Sequence, residues 1–134
     1  MKYQKLTVKY KYILLEDETT ELSIDFGGYA AESDYIDLSG RTLTVKSGYA
    51  WDGASGPTLD SACSMRASLV HDALYQLMRL RKLPRTLRGD VDKELYRLCI
   101  EDGMWKWRAK TWYFFVRLFA GGAAKPKKIE FVEI

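Results

Sequence analysis

The chain has 134 residues, enough for one domain with one core that folds without disulfides or a structural metal. Hydrophobic residues make up 47% and charged residues 29%, which excludes an intrinsically disordered chain. The 21 Lys and Arg against 18 Asp and Glu leave a net charge of +3, too balanced for a dedicated nucleic-acid binder.

Residues 1 to about 50 read as strands. "KLTVKYKYILL" alternates through Leu6, Val8, Tyr10 and Tyr12, "TELSIDF" through Leu22, Ile24 and Phe26, and "RTLTVKS" through Leu43 and Val45. Gly27-Gly28 and Ser39-Gly40 supply the turns, and a small antiparallel sheet is expected. The opening residues hold no apolar run followed by a small-residue cleavage site, so no secretory signal is expected, and the protein should either remain in the cytoplasm where it is made or leave by a route other than a signal peptide.

Residues 51–62 form a loop around the Asp52-Gly53 pair, and beyond it the hydrophobic period changes. Ala67, Val70, Leu74, Leu77 and Met78 recur at three- and four-residue steps, predicting a helix from about Ser64 to Leu80, before Pro84. A second helix opens at Thr86, turns Val91, Leu95, Leu98 and Cys99 inward, and stops at Gly103. A third runs from about Trp105 to Phe119 and stops at Gly121-Gly122. Strands first and helices after imply an α+β fold in a single domain 1–134: sheet to residue 50, loop to 62, helices over 63–121 and a tail over 122–134. The most apolar window, "TWYFFVRLFAGGAA", is broken by Arg117 and too short to span a bilayer.

The only histidine, His71, precedes Asp72 on the first helix, so the two side chains point about 100° apart and serve different partners. Tyr75 lies one turn beyond His71, and Asp92 and Tyr96 repeat that spacing on the second helix. The connector "RLRKLPRTLR" folds the two helices into an antiparallel hairpin, which lets Asp92 meet His71. A carboxylate on one imidazole nitrogen fixes the tautomer and leaves the other to take a proton from water, a general base. Tyr75 and Tyr96 are expected to donate hydrogen bonds that keep Asp92 ionised. Asp72, turned towards the loop, joins Asp52 and oxygen atoms of the Gly53, Ser55 and Gly56 region around a hard cation, and oxygen-only ligation suits calcium better than zinc.

Each residue also has a purely architectural reading. Asp52 can cap an Asx-type turn with Gly53, His71 and Asp92 can be a buried ion pair that sets helix register, and Tyr75 and Tyr96 can be amphipathic core residues. No nucleophile elbow surrounds Ser55, which argues against serine catalysis. Lys106, Arg108, Lys110 and Arg117 interleave with Trp105, Trp107, Trp112, Tyr113, Phe114 and Phe115, a pattern suited to an anionic surface, whether phospholipid headgroups or nucleic acid, and also to a core helix solubilised on its outer side. Cys63 and Cys99 are too few for a disulfide framework and lack the spacing of a zinc or redox motif.

The runs "GYAWDGASGP", "RASLVHDALY", "RGDVDKELYRLCIEDG" and "WRAKTWYFFVRLFAG" resemble, in order and spacing over residues 40 to 121, a family of small phage and prophage proteins of unknown function. That resemblance implies a phage-encoded protein of a bacterial host, located in the host cytoplasm or the virion, with other virion proteins as partners. The same segments are similar to the catalytic core of phospholipase A2 enzymes. On that likeness His71 is the base, Asp92 orients it, Tyr75 braces Asp92, and Asp72 with the 52 to 56 loop holds calcium, which polarises the ester carbonyl. Those enzymes are secreted and disulfide-bonded, whereas this chain has two cysteines. In the hairpin, Cys63 and Cys99 lie in the same direction from the centre and come near enough to bond if the first helix extends that far back. Two functions are left open: a calcium-dependent lipid ester hydrolase, and a non-enzymatic phage accessory or virion component whose polar cluster pins the helices.

Overall fold

The computed structural model describes residues 1–5, 12–26, 29, 31–53 and 62–124. Among the described residues seven short strands precede three helices, so the fold is α+β as the element order implies. The strands make two antiparallel sheets instead of one. In the first, β1 (Tyr3–Lys5) pairs with β2 (Tyr12–Leu14), which pairs with β7 (Ala50–Trp51). In the second, β3 (Glu18–Glu21), β6 (Thr42–Val45), β5 (Ile36–Ser39) and β4 (Ala31–Glu32) lie in the order β3-β6-β5-β4.

The alternating run from Lys5 to Leu15 therefore does not extend as a single strand. Tyr3 pairs with Leu14 and Lys5 with Tyr12, so the chain reverses between them, and Leu6, Val8 and Tyr10 fall outside the described residues, as does the Gly27-Gly28 turn. The second run also divides: its strand ends at Glu21, while Leu22 and Phe26 are buried from bent backbone beyond it. The β5–β6 hairpin follows the reading closely. Gly40, at φ +59°, takes the first position of a two-residue turn between Ser39 and Thr42, which are paired. Ile36, Leu38, Leu43 and Val45 then share the inner face, and Asp37, Ser39, Thr42 and Thr44 the outer one.

The helices are α1 (Ala62–Arg79), α2 (Arg88–Glu101) and α3 (Lys106–Phe119), with a 3-10 turn at Arg85–Leu87 leading into α2 and another at Gly121–Ala124 after α3. α1 is the central element. Leu69, Val70, Leu74 and Leu77 are sealed in one continuous core with Leu14, Leu43 and Trp51 of the sheets and Val91, Leu95 and Leu98 of α2. Trp51 donates its indole N–H to Ser68 Oγ at 3.1 Å, stitching β7 to α1. The α1–α2 hairpin is antiparallel: Arg66 near the start of α1 grips Asp102 just after α2 at 2.8 and 3.0 Å and Glu101 at 2.6 Å. Buried Glu94 of α2 accepts from the Ser23 backbone and hydroxyl and from Arg97, holding the second sheet to the helices.

α1 and α2 end in the same way. Lys82 N–H bonds to Leu77 C=O and Arg81 N–H to Met78 C=O, and likewise Met104 to Cys99 and Gly103 to Ile100, a Schellman closure in each case. The left-handed residue is Gly103 at φ +98° in one and Arg81 at φ +63° in the other.

Candidate active site

Helix spacing brings His71 and Tyr75 together one turn apart on α1, their ring centroids 4.1 Å from each other. Opposite them, near the start of α2, Asp92 is wholly buried. His71 Nε2 lies 2.7 Å from Asp92 Oδ1, and the Tyr75 hydroxyl donates to that oxygen at 2.6 Å. A carboxylate only accepts, so the proton of a neutral His71 sits on Nε2 and Nδ1 carries the lone pair. Among the described residues Nδ1 has no hydrogen-bond partner, and the imidazole borders an open pocket.

Two arginines complete the surroundings of Asp92. Arg117 of α3 donates Nη1 to Asp92 Oδ2 at 2.9 Å, and Arg88, one turn before Asp92, stands 3.8 Å from the same oxygen. Arg88 also donates to the Tyr75 hydroxyl at 3.0 Å and to the carbonyls of Val116 and Arg117 at 2.8 and 2.9 Å. Burial alone would raise the Asp92 pKa, but hydrogen bonds from His71 and Tyr75, the His71 charge and the Arg117 hydrogen bond outweigh it and hold the carboxyl below its usual range. Burial and the adjacent Asp92 push the Tyr75 phenol upward, so it stays a protonated donor. Tyr96 takes no part: its ring packs edge-on against Tyr113 at 6.2 Å. Asp92 finds in Arg117 the further donor that the sequence reading sought in Tyr96.

On the other side of His71, Asp72 turns towards the loop. The Tyr49 hydroxyl donates to its Oδ2, and Arg79 lies 3.9 Å from Oδ1. The carboxyl sits in a concavity, 38% of its side chain open to solvent, and its pKa is raised. Surrounding protein is the largest cause, and the charge of Asp52 adds to it against the lowering effects of Tyr49, Arg79 and His71. Asp52 lies near enough for its charge to act on Asp72, and Gly53 borders the pocket. Among the described residues no three acidic, His or Cys side chains cluster so as to hold a metal ion, and Ser55 and Gly56 of the expected calcium loop lie outside the described residues.

His71, Asp72 and Tyr75 form one side of the pocket with Arg79; Trp112, Val116 and Ala120 form the other. Composition pointed to neither Arg79 nor Trp112. Arg79 is two turns beyond Asp72 on the same face of α1, and Arg88 is one turn before Asp92, spacings that do identify both as partners. No local signal links Arg117 or Tyr49 to the site, because each arrives from a distant segment.

α3 divides into two faces. Ala109, Trp112 and Val116 are buried, whereas Trp105, Trp107, Phe114, Leu118 and Phe119 are exposed, with Lys106 and Lys110 also at the surface. No helix among the described residues is long and apolar enough to cross a membrane. Cys63 and Cys99 form no disulfide with each other, and they are close enough for the charge of one to act on the other.

A family model described as a protein of unknown function, DUF1353, matches residues 29–116, well over half of the chain. The chain belongs to the DUF1353 family. The match spans His71, Asp72, Tyr75, Asp92 and Trp112 and ends one residue before Arg117. Neither a curated protein nor a solved structure matches the chain. Membership of DUF1353 brings no chemistry with it, so the function is argued from the geometry of the site.

Proposed function

We propose that this DUF1353 protein is an ester hydrolase acting on phospholipid, with His71 as general base. The observation that carries the proposal is the His71–Asp92 pair: a buried carboxylate on Nε2, with Nδ1 beside a pocket and without a partner among the described residues. Nδ1 takes a proton from water as the water oxygen bonds to the ester carbonyl carbon. The imidazolium, stabilised by Asp92, then returns that proton to the departing alkoxide as the carbon–oxygen bond breaks, leaving a carboxylic acid and an alcohol. Asp52, Asp72 and the carbonyl region at Gly53 are the groups that would hold calcium, which supplies Lewis-acid polarisation of the ester when bound. The exposed aromatic and lysine residues of α3 suit contact with a phospholipid surface, where aromatic rings settle at the headgroup level.

Fatty acid release from phosphatidylcholine in micelles and vesicles, with millimolar calcium, tests the reading. His71→Asn should lower the rate by about 10²–10⁴-fold, the worth of a positioned general base. A wild-type protein inactive on every phospholipid aggregate tested, with calcium present, overturns it.

One observation favours a second reading, a phage accessory or virion component without catalysis. Arg88 and Arg117 both face Asp92, so the carboxylate also serves as the knot that ties α2 and α3 together. On that reading the outer face of α3 is an assembly surface for other virion proteins, and replacing His71 alters stability with no rate to lose.

A further inference from the structure

The exposed apolar surface of this protein is concentrated on one helix. Leu118, Trp105, Phe119, Trp107 and Phe114 are 58–75% exposed, more than any other large apolar side chain among the described residues, and all five lie in α3 or immediately before it. At 100° per residue Trp107, Thr111, Phe114 and Leu118 fall within about 60° of one another, a stripe about 17 Å long. Ala109, Trp112 and Val116, which seat α3 on the core, lie on the opposite side. The stripe is therefore a second apolar face, not the fringe of the first. An exposed concentration of this kind marks an interaction site.

Charge and polarity decide what covers it. From Gly103 to Ile129 the sequence holds seven Lys and Arg and no acidic residue. Lys106 and Lys110, one turn apart along one edge of the stripe, are exposed, and neither is in an ion pair among the described residues. A second copy of the chain would bring only further cations to the contact, so the face is not self-complementary. It also offers little for a protein partner to read. Thr111, the polar side chain within the stripe, donates its hydroxyl to Trp107 C=O at 2.9 Å on its own helix, whereas protein interfaces carry about one hydrogen bond per 100–200 Å². Apolar, non-directional contact beside exposed cations is what a negatively charged lipid interface takes.

We propose that the outer face of α3 docks on a lipid bilayer of net negative charge, with Trp107, Phe114 and Leu118 among the upper acyl carbons and Lys106 and Lys110 at the headgroup phosphates. The helix lies in the plane of the interface, since it is 14 residues long and charged along one edge. The proposal deepens the hydrolase reading by naming the surface from which substrate would be taken, and rests on that reading only for calling the lipid a substrate. Zwitterionic lipid offers the apolar contact without the charge, so it should hold the protein weakly. Each basic side chain near an anionic surface contributes about fivefold in affinity, and the two lysines together about 25-fold.

The test is co-sedimentation of the full-length protein, in EDTA, with vesicles of ether-linked lipid: phosphatidylcholine alone, or an equal mixture of phosphatidylcholine and phosphatidylglycerol. Ether-linked lipid carries no carboxylic ester and EDTA removes calcium, so neither turnover nor a calcium bridge enters the result. Binding should be about tenfold or more tighter on the mixed vesicles, weaken in high salt, and shift tryptophan emission to the blue as Trp107 leaves water. On those vesicles Lys106→Gln with Lys110→Gln should weaken binding about 25-fold, and Phe114→Ser with Leu118→Ser about tenfold or more. All four positions are exposed, and circular dichroism checks that the variants fold; should the serine variant not, the lysine variant and the salt dependence decide. Absence of vesicle binding, equal binding to both compositions, or unchanged affinity in a folded double variant overturns the proposal. A dimer seen by sedimentation velocity, dissolved by Phe114→Ser with Leu118→Ser and accompanied by no vesicle binding, also overturns it and assigns the face to a second copy. Vesicle binding without hydrolysis of any phospholipid in calcium removes the hydrolase reading and leaves the docking face. Hydrolysis of a monomeric short-chain phospholipid without vesicle binding does the reverse.

Discussion

Replacing Asp92 by asparagine separates what the buried carboxylate does for stability from what it does for chemistry. The amide keeps one acceptor oxygen for His71 and Tyr75, but its NH2 must then face the Arg117 donor that sits 2.9 Å from Oδ2 in the wild type. Breaking a buried ion pair costs about 3–5 kcal/mol, and the lower end applies here because Arg117, 37% exposed, can swing into solvent. About 3 kcal/mol in a domain of this length lowers Tm by about 10 °C, readable by differential scanning calorimetry at neutral pH. The sign of the pH dependence follows from the depressed pKa: the Asp92 contribution is fully present above the unfolded value of about 3.9 and is lost as pH falls through the lower folded value. Wild type and Asp92→Asn should therefore differ in Tm at all mildly acidic and neutral pH and converge only in strong acid. A variant whose Tm at neutral pH is within about 2 °C of wild type would show that the carboxylate is not holding the two arginines and the imidazole as described. If the protein hydrolyses lipid, the variant must also lose activity at temperatures where it remains folded, since the imidazolium formed at His71 then lacks the carboxylate charge that stabilises it.

The two Schellman closures give a matched pair of predictions: Arg81→Gly should raise stability by about 1 kcal/mol, because glycine occupies a left-handed position without steric cost, and Gly103→Ala should lower it by a similar amount although nothing stands within 4 Å of the added methyl. Urea titrations of both variants check this, and equal midpoints would contradict it. Burial pushes the Cys99 thiol up to about 12, with the neighbouring Cys63 adding to the effect, so at pH 8 an aromatic disulfide reagent should label Cys63 rapidly and Cys99 only after unfolding. Two thiols reacting at one rate in the native protein would be inconsistent with the packing. Glu94→Gln weakens the link between α2 and the Ser23 segment and should cost about 1–3 kcal/mol, measured by the same urea titration, with no change in the His71 environment seen by NMR.

The helices and the His71–Asp92 pair were legible in the sequence because both depend on local periodicity. Apolar residues at three- and four-residue steps locate α1 and α2 within a few residues, and a hairpin with a short connector carries His71 to Asp92 without further information. The sheets were less legible. Alternation marks Leu43 and Val45 correctly, yet alternation between Lys5 and Leu15 reads identically whether the chain continues or doubles back, and no Gly, Pro or Asn in that stretch marks the reversal. Ala31–Glu32 and Ala50–Trp51 are too short to show any period. In the site, partners one or two helical turns away were within reach, whereas Tyr49 comes from the link between β6 and β7 and Arg117 from the third helix, and their approach is a tertiary property. Tyr96 illustrates the reverse error: correct spacing from Asp92 along α2, but a better aromatic neighbour in Tyr113.

Arg88 touches the Tyr75 hydroxyl at one end of its guanidinium and the last-turn carbonyls of α3 at the other. A single planar cation thus works as a strut between the interior acid cluster and the helix that carries the exposed aromatics. Three hydrogen bonds in series, from the α3 carbonyls to Arg88, from Arg88 to the Tyr75 hydroxyl and from Tyr75 to Asp92, therefore join the backbone of that helix to the buried carboxylate.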